Sequence, residues 1–140
     1  MPGYSGTPLA KKLGIKDNFR AALLHVPDEV KTELLDAFGK CRIQHGSIHA
    51  GRDLDFIFLF AKSRAGLELE LVPAPAGMLW ISWPKKSSGV ATDLTGDVVR
   101  RSGLDAGLVD VKVCAVTDVW LGLKFVIPVR NRPKDKRRKV

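Results

Sequence analysis

Val109-Asp110-Val111-Lys112-Val113-Cys114-Ala115 and, after Val116, Thr117-Asp118-Val119-Trp120-Leu121-Gly122-Leu123-Lys124-Phe125-Val126-Ile127 together decide how the chain closes. Val109, Val111, Val113 and Ala115 alternate with Asp110, Lys112 and Cys114, the period-two pattern of a strand with one buried face. Leu121, Leu123, Phe125 and Ile127 repeat it. Thr117-Asp118-Val119 is too short for the crossover that a parallel pair requires, so the two strands form an antiparallel hairpin.

Upstream of this hairpin, strand and helix signals alternate. Thr7-Pro8 before Leu9-Ala10-Lys11-Lys12-Leu13-Gly14 joins an N-cap residue, a proline at the first helical position and a glycine stop, which predicts a short helix. Phe19 to Val26 is an apolar run of strand length. Pro27-Asp28 then opens a helix to Phe38, with Val30, Leu34, Leu35 and Phe38 at helical spacing and Gly39 after it. Lys40 to Gln44 reads as a short strand and Asp53 to Phe60 as a buried one. Ser63 caps a helix through Leu71, Pro73 to Gly77 turns the chain, and Met78 to Trp83 is another buried strand. After a long loop, a helix is expected across Gly96 to Ser102. The result is an α/β fold: a three-layer, Rossmann-like, mostly parallel six-stranded sheet with an antiparallel C-terminal edge hairpin.

At 140 residues, with 45% hydrophobic and 27% charged residues, the chain fits one folded domain without metal or disulfide staples. The net charge of +8 is uneven: Arg130, Arg132, Lys134, Lys136, Arg137, Arg138 and Lys139 outweigh Asp135 to give the last eleven residues +6, leaving +2 for the rest. Residues 1–129 are therefore expected to form the domain and 130–140 a basic, disordered tail, with nucleic acid as the sharper alternative partner for those seven cations. No apolar run approaches the roughly 18 residues of a membrane span. Met1-Pro2-Gly3-Tyr4 has no basic start and no apolar run after it, which predicts a cytoplasmic protein whose two cysteines, Cys41 and Cys114, are reduced.

In a parallel α/β sheet ligands bind beyond the carboxyl ends of the strands, where strand order reverses. Following each strand to that rim gathers His25, then Lys62 and Arg64, then Lys85, Lys86, Ser87, Ser88, Thr92 and Asp93, and Trp120 at the hairpin. The start of the first helix adds Tyr4, Ser5, Gly6 and Thr7. Lysines, an arginine, hydroxyls and an aromatic face suit an anionic or nucleotide-like ligand. The competing reading makes Thr92, Asp93 or Thr95 a helix cap and leaves the tryptophans as packing.

Other constellations are weaker. Cys41, His45 and His49 have the four-residue spacing of helical metal ligands, but Gly46 and Gly51 oppose a helix and no fourth ligand follows, so no metal is expected. Asp53 and Asp55 share a strand face, as paired catalytic carboxylates must, but more often such a pair is one strand-start residue and one helix-capping or salt-bridge partner. No G-x-S-x-G elbow, G-x-x-x-x-G-K-[ST] loop or H-E-x-x-H motif is present, so no catalytic residue is assigned.

Gly3 to Gly14, Trp83 to Thr95, and Gly107 to Ala115 with Trp120 to Phe125 resemble a bacterial family, the domain of unknown function 3052, over nearly the whole chain except the tail. That resemblance assigns no catalytic residues. The order of elements also resembles a shortened class I methyltransferase, whose fold has a reversed strand where this chain has its hairpin. The class places a glycine-rich turn after the first strand and an acidic residue after the second to hold adenosylmethionine. This chain has His25-Val26-Pro27-Asp28 and Ile43-Gln44-His45 there, so that cofactor is not expected in the usual mode. The expectation is a non-catalytic or regulatory domain binding an anionic small molecule or protein segment at the carboxyl rim. The alternatives are an enzyme on a degenerate methyltransferase-like scaffold and a nucleic-acid binder using the tail and rim.

Overall fold

In the computed structural model residues 8–44, 52–67 and 72–132 are described. Six strands, β1 (Arg20–Leu24), β2 (Arg42–Ile43), β3 (Phe56–Phe60), β4 (Met78–Pro84), β5 (Val109–Ala115) and β6 (Trp120–Val126), form one sheet in the order β2-β1-β3-β4-β6-β5. The first four run parallel, and β6 is antiparallel to both β4 and β5. The hairpin therefore sits at the edge as expected, but the reversed strand is one place in: β6 inserts beside β4 and β5 becomes the border.

The layers follow from alternation along the central strands. Every residue of β3 and β4 is buried, because both faces are covered and each strand needs apolar residues on each. Phe56, Phe58, Phe60, Met78 and Trp80 face α1 (Leu9–Leu13), α2 (Asp28–Glu33) and α3 (Leu35–Gly39), whose Leu13, Val30 and Phe38 join that core. Ile57, Leu59, Leu79, Ile81 and Trp83 form a second core with Val99 of α4 (Gly96–Asp105). Trp80 stitches the first layer to the sheet, its indole Nε1 donating to the Leu13 carbonyl at 2.9 Å.

Several local expectations change. Pro8 is the N-cap of α1, with Gly14 ending the helix in the left-handed region at φ 78°. Leu34, at φ −101° and ψ 13°, breaks the expected helix into α2 and α3, so Leu34 and Phe38 remain buried while Leu35 is 68% exposed. The helix expected from Ser63 is a short 3-10 turn, Arg64–Leu67, and residues 68–71 lie outside the described residues. The facing of β5 is inverted: Cys114 is buried, whereas Val111 and Val113 are 54% and 64% exposed. A register shift between Asp110 and Lys112 accompanies this change, since a bulge adds a residue and exchanges the two faces. No helix among the described residues is long and apolar enough to cross a membrane.

Candidate functional site

The parallel strands β1, β3 and β4 end at one rim. The chain leaves β1 to reach β2 on one side and leaves β3 to reach β4 on the other, so strand order reverses between β1 and β3. Such a reversal opens a crevice, because the two outgoing connections diverge. His25 follows β1 in the left-handed conformation, φ 59°, and is exposed; buried Val26 and then Pro27, the N-cap of α2, come next. Ala61 and Lys62 follow β3. Together with Glu29, Phe60, Val90, Val119 and Trp120 they line a hollow of about 670 Å³. Trp120 is held by its edge-to-face contact with Phe60, ring centroids 4.9 Å apart.

The loop after β4 adds Val90 to the wall of this crevice. Thr92 donates through Oγ1 to the Lys62 carbonyl at 2.7 Å and accepts from the Leu94 amide at 3.0 Å. Asp93 accepts from the Arg64 amide at 3.0 Å. These two residues tie the loop after β4 to the loop after β3. Ser88 accepts from the Val90 amide, and Thr95 is the α4 N-cap, accepting from Val98. Thr117 accepts from the Val119 and Trp120 amides, shaping the hairpin end.

Lys85 and Lys86 open on a different hollow, of about 460 Å³, on the α4 side of the sheet. Its apolar floor includes Trp83, Leu121 and Leu123, and Arg100 pairs with Asp110 at its margin, Nε to Oδ1 3.1 Å. The structure thus brings His25, Lys62 and Trp120 together, places Lys85 and Lys86 apart from them, and uses Thr92 and Asp93 as fasteners. Arg64 and Ser87 are exposed, and they and Ser88 line neither hollow. Tyr4, Ser5, Gly6 and Thr7 lie outside the described residues. Sequence reasoning overlooked Glu29, which the first turn of the helix after β1 carries to the same rim, and Val90 and Val119, whose only signal was adjacency to loops already singled out.

Asp53 and Asp55 serve the opposite edge. The Asp55 carboxylate accepts from the Arg20 amide at 2.9 Å and Asp53 lies 4.0 Å from the Arg20 guanidinium, so both organise the start of β1. His45 and His49 are outside the described residues, and among those described no group of three metal-ligating side chains converges. Because β6 runs antiparallel, its end at Val126 lies beside the start of β5, and exposed Arg130 and half-buried Arg132, whose Nε donates to the Ile127 carbonyl at 2.9 Å, leave from the amino edge. The tail therefore begins across the sheet from the rim, while Lys134, Lys136, Arg137, Arg138 and Lys139 lie outside the described residues.

No protein-family model matches this sequence, and no curated protein matches it. Solved structures do. A SAM-dependent methyltransferase from Aquifex aeolicus aligns with a TM-score of 0.57 at 16% identity, over 86% of this chain and 88% of that one. A structure described as a pericyclic reaction enzyme gives 0.53 at 13% identity, over 87% of this chain and 47% of that one. LepI in complex with SAM gives 0.53 at 12%, with the same coverage. The chain spans about half the length of these last two. At such identities the likeness establishes the fold, a methyltransferase-like α/β sheet.

Proposed function

We propose that this chain is a binding domain without catalytic activity on a methyltransferase-like scaffold, and that it takes a nucleotide-like anion in the crevice between β1 and β3. The observation that carries this reading is the convergence of His25, Lys62 and Trp120 on one hollow of about 670 Å³ at the reversal of strand order. Its volume falls in the range of small-molecule sites, roughly 300–1,000 Å³. Phe60, Trp120 and Val119 offer a planar ligand an apolar wall, Lys62 attracts an anionic end, and Glu29 accepts from a hydroxyl or amine between them. The reading includes membership of the domain of unknown function 3052 family, supported by the three segments that resemble it, a cytoplasmic location and a single domain over residues 1–129.

Adenosylmethionine in the usual methyltransferase mode does not fit this turn. That mode needs backbone near the cofactor, and here Pro27 has no N–H, Val26 is buried and His25 carries a full side chain where a glycine would leave room. Gln44 after β2 supplies no carboxylate for the ribose. Catalysis is the second reading, favoured by the likeness to a SAM-dependent methyltransferase over most of both chains.

Thermal unfolding with AMP as probe and SAM as competitor separates the readings. AMP at a hundredfold excess over its Kd adds about 2.7 kcal/mol of stability to a protein that binds it. The rise in Tm should disappear in Lys62→Ala with His25→Asn, the latter chosen because asparagine tolerates the left-handed backbone. A rise that survives both substitutions, or none with AMP, ADP or phosphate, overturns the crevice assignment. A comparable rise with SAM would favour the enzyme.

A further inference from the structure

On the α1 face of the sheet, away from the crevice, β5 and β6 set Lys112 directly opposite Lys124. The same row continues to Trp80 on β4, whose ring packs under α1. Directly opposed residues on an antiparallel pair have Cβ atoms about 4.5–5.5 Å apart, and like charges there are destabilising. The Lys112 ammonium reaches across to α1 and donates to the Lys12 carbonyl at 2.8 Å, which directs it toward that helix's last turn. Lys16 follows α1 by three residues, near enough for its charge to act on Lys124. Burial first, and then the charges of Lys112 and Lys16, push the Lys124 ammonium below the usual lysine range. Among the described residues none of Lys16, Lys112 and Lys124 forms an ion pair.

We propose that Lys16, Lys112 and Lys124, grouped around the end of α1, form a binding site for a phosphate oxyanion, separate from the crevice at the carboxyl rim. Three ammonium groups with no carboxylate paired to them among the described residues repel one another, and the half-burial of Lys124 keeps water from screening them fully. A multivalent anion removes that repulsion. Lysine ammoniums act as compact point charges without the planar fork by which arginine selects carboxylates, so a tetrahedral oxyanion that accepts from several directions suits them better. Beyond Lys124 the chain runs through Val126 to exposed Arg130, which offers a further cation to a phosphodiester strand. The phosphate is supplied either by a free polyphosphate or by a nucleic-acid backbone.

The test titrates the full chain with tripolyphosphate and, separately, with a fluorescent oligothymidylate at two salt concentrations. Lys124→Met keeps the apolar stem and Lys112→Gln keeps a donor for the Lys12 carbonyl. In the double variant the affinity for the bound anion should fall at least about tenfold, as the loss of a charged hydrogen bond implies. The oligonucleotide's log–log salt slope should flatten by about 1.4, two contacts at roughly 0.7 each for a single strand. Lys124→Met alone should raise the Tm of the unliganded protein, since it removes a repelled, half-buried charge, and a lowered Tm counts against the site. Patch-dependent binding of tripolyphosphate points to a free polyphosphate; patch-dependent binding of the oligonucleotide alone points to a nucleic-acid backbone. Binding of neither, binding unchanged in the double variant, or binding abolished solely by deleting residues 130–140 overturns the proposal. The AMP response at the crevice should be unchanged in the double variant, so either assignment can fail without the other.

Discussion

At Gly103 the backbone of α4 comes so close to β6 that a Cβ built there lies 2.0 Å from the Phe125 ring. A helical Gly→Ala change ordinarily gains about 1 kcal/mol from propensity, whereas overpacking a core costs about 1–3 kcal/mol and more when backbone must move. At 2.0 Å the second effect dominates. Gly103→Ala should lower stability in urea unfolding, and adding Phe125→Leu should recover part of the loss; a stabilised single variant would refute this account of the packing. Gly122 is confined in a similar way, with Val116, Trp80 and Ser82 atoms 3.1 to 3.3 Å from such a Cβ. Neither demand was legible in the sequence, where Gly103 fell just past a helix expected across Gly96 to Ser102 and Gly122 was one step of an alternating strand.

The loop between β4 and α4 shows what an element adds to its residues. In the sequence it was a string of lysines, serines and hydroxyls, and its proximity to the loop after β3 was expected from strand order alone. Its side-chain roles were not, because Thr92 finds the Lys62 carbonyl and Asp93 the Arg64 amide only after β3 and β4 have paired. Thr92→Val removes two hydrogen bonds while keeping the shape and should cost about 1–2 kcal/mol. It should also weaken AMP binding, because Lys62 loses its anchor. Lys85→Ala with Lys86→Ala should leave AMP binding intact, since those lysines open on the other hollow. Unfolding curves and AMP-dependent Tm shifts check both outcomes. The hairpin offers the complementary lesson: the bounds of β5 were readable from its alternation, but its bulge, and hence which face carries Cys114, was not.

Across the whole molecule, charge and chain direction decide which surfaces act together. The nucleic-acid alternative joined the basic tail and the carboxyl rim as long as only the order of residues was known. The antiparallel course of β6 sets Arg130, where the tail starts, at the amino edge, on the side of the sheet's ends away from Lys62 and His25. Deleting residues 130–140 removes +6 of charge and the hydrogen bond from Arg132 to the Ile127 carbonyl, a loss of about 1 kcal/mol, and should lower the Tm of the remaining domain by only about 4 °C. The AMP response should persist. A large loss of stability on truncation would show that the tail is part of the folded unit.

The sequence by itself determined the fold class, the near-complete set of strands and the edge at which to look for a ligand, because apolar periodicity and connection length are local properties that chain geometry converts into layers. The tertiary structure alone decided which rim residues meet. It assigned Lys62, His25 and Trp120 to one crevice, moved Lys85 and Lys86 to another, and placed Lys112 opposite Lys124. Such pairings depend on strand register and on a single bulge, where a shift of one residue reverses the facing of every side chain beyond it.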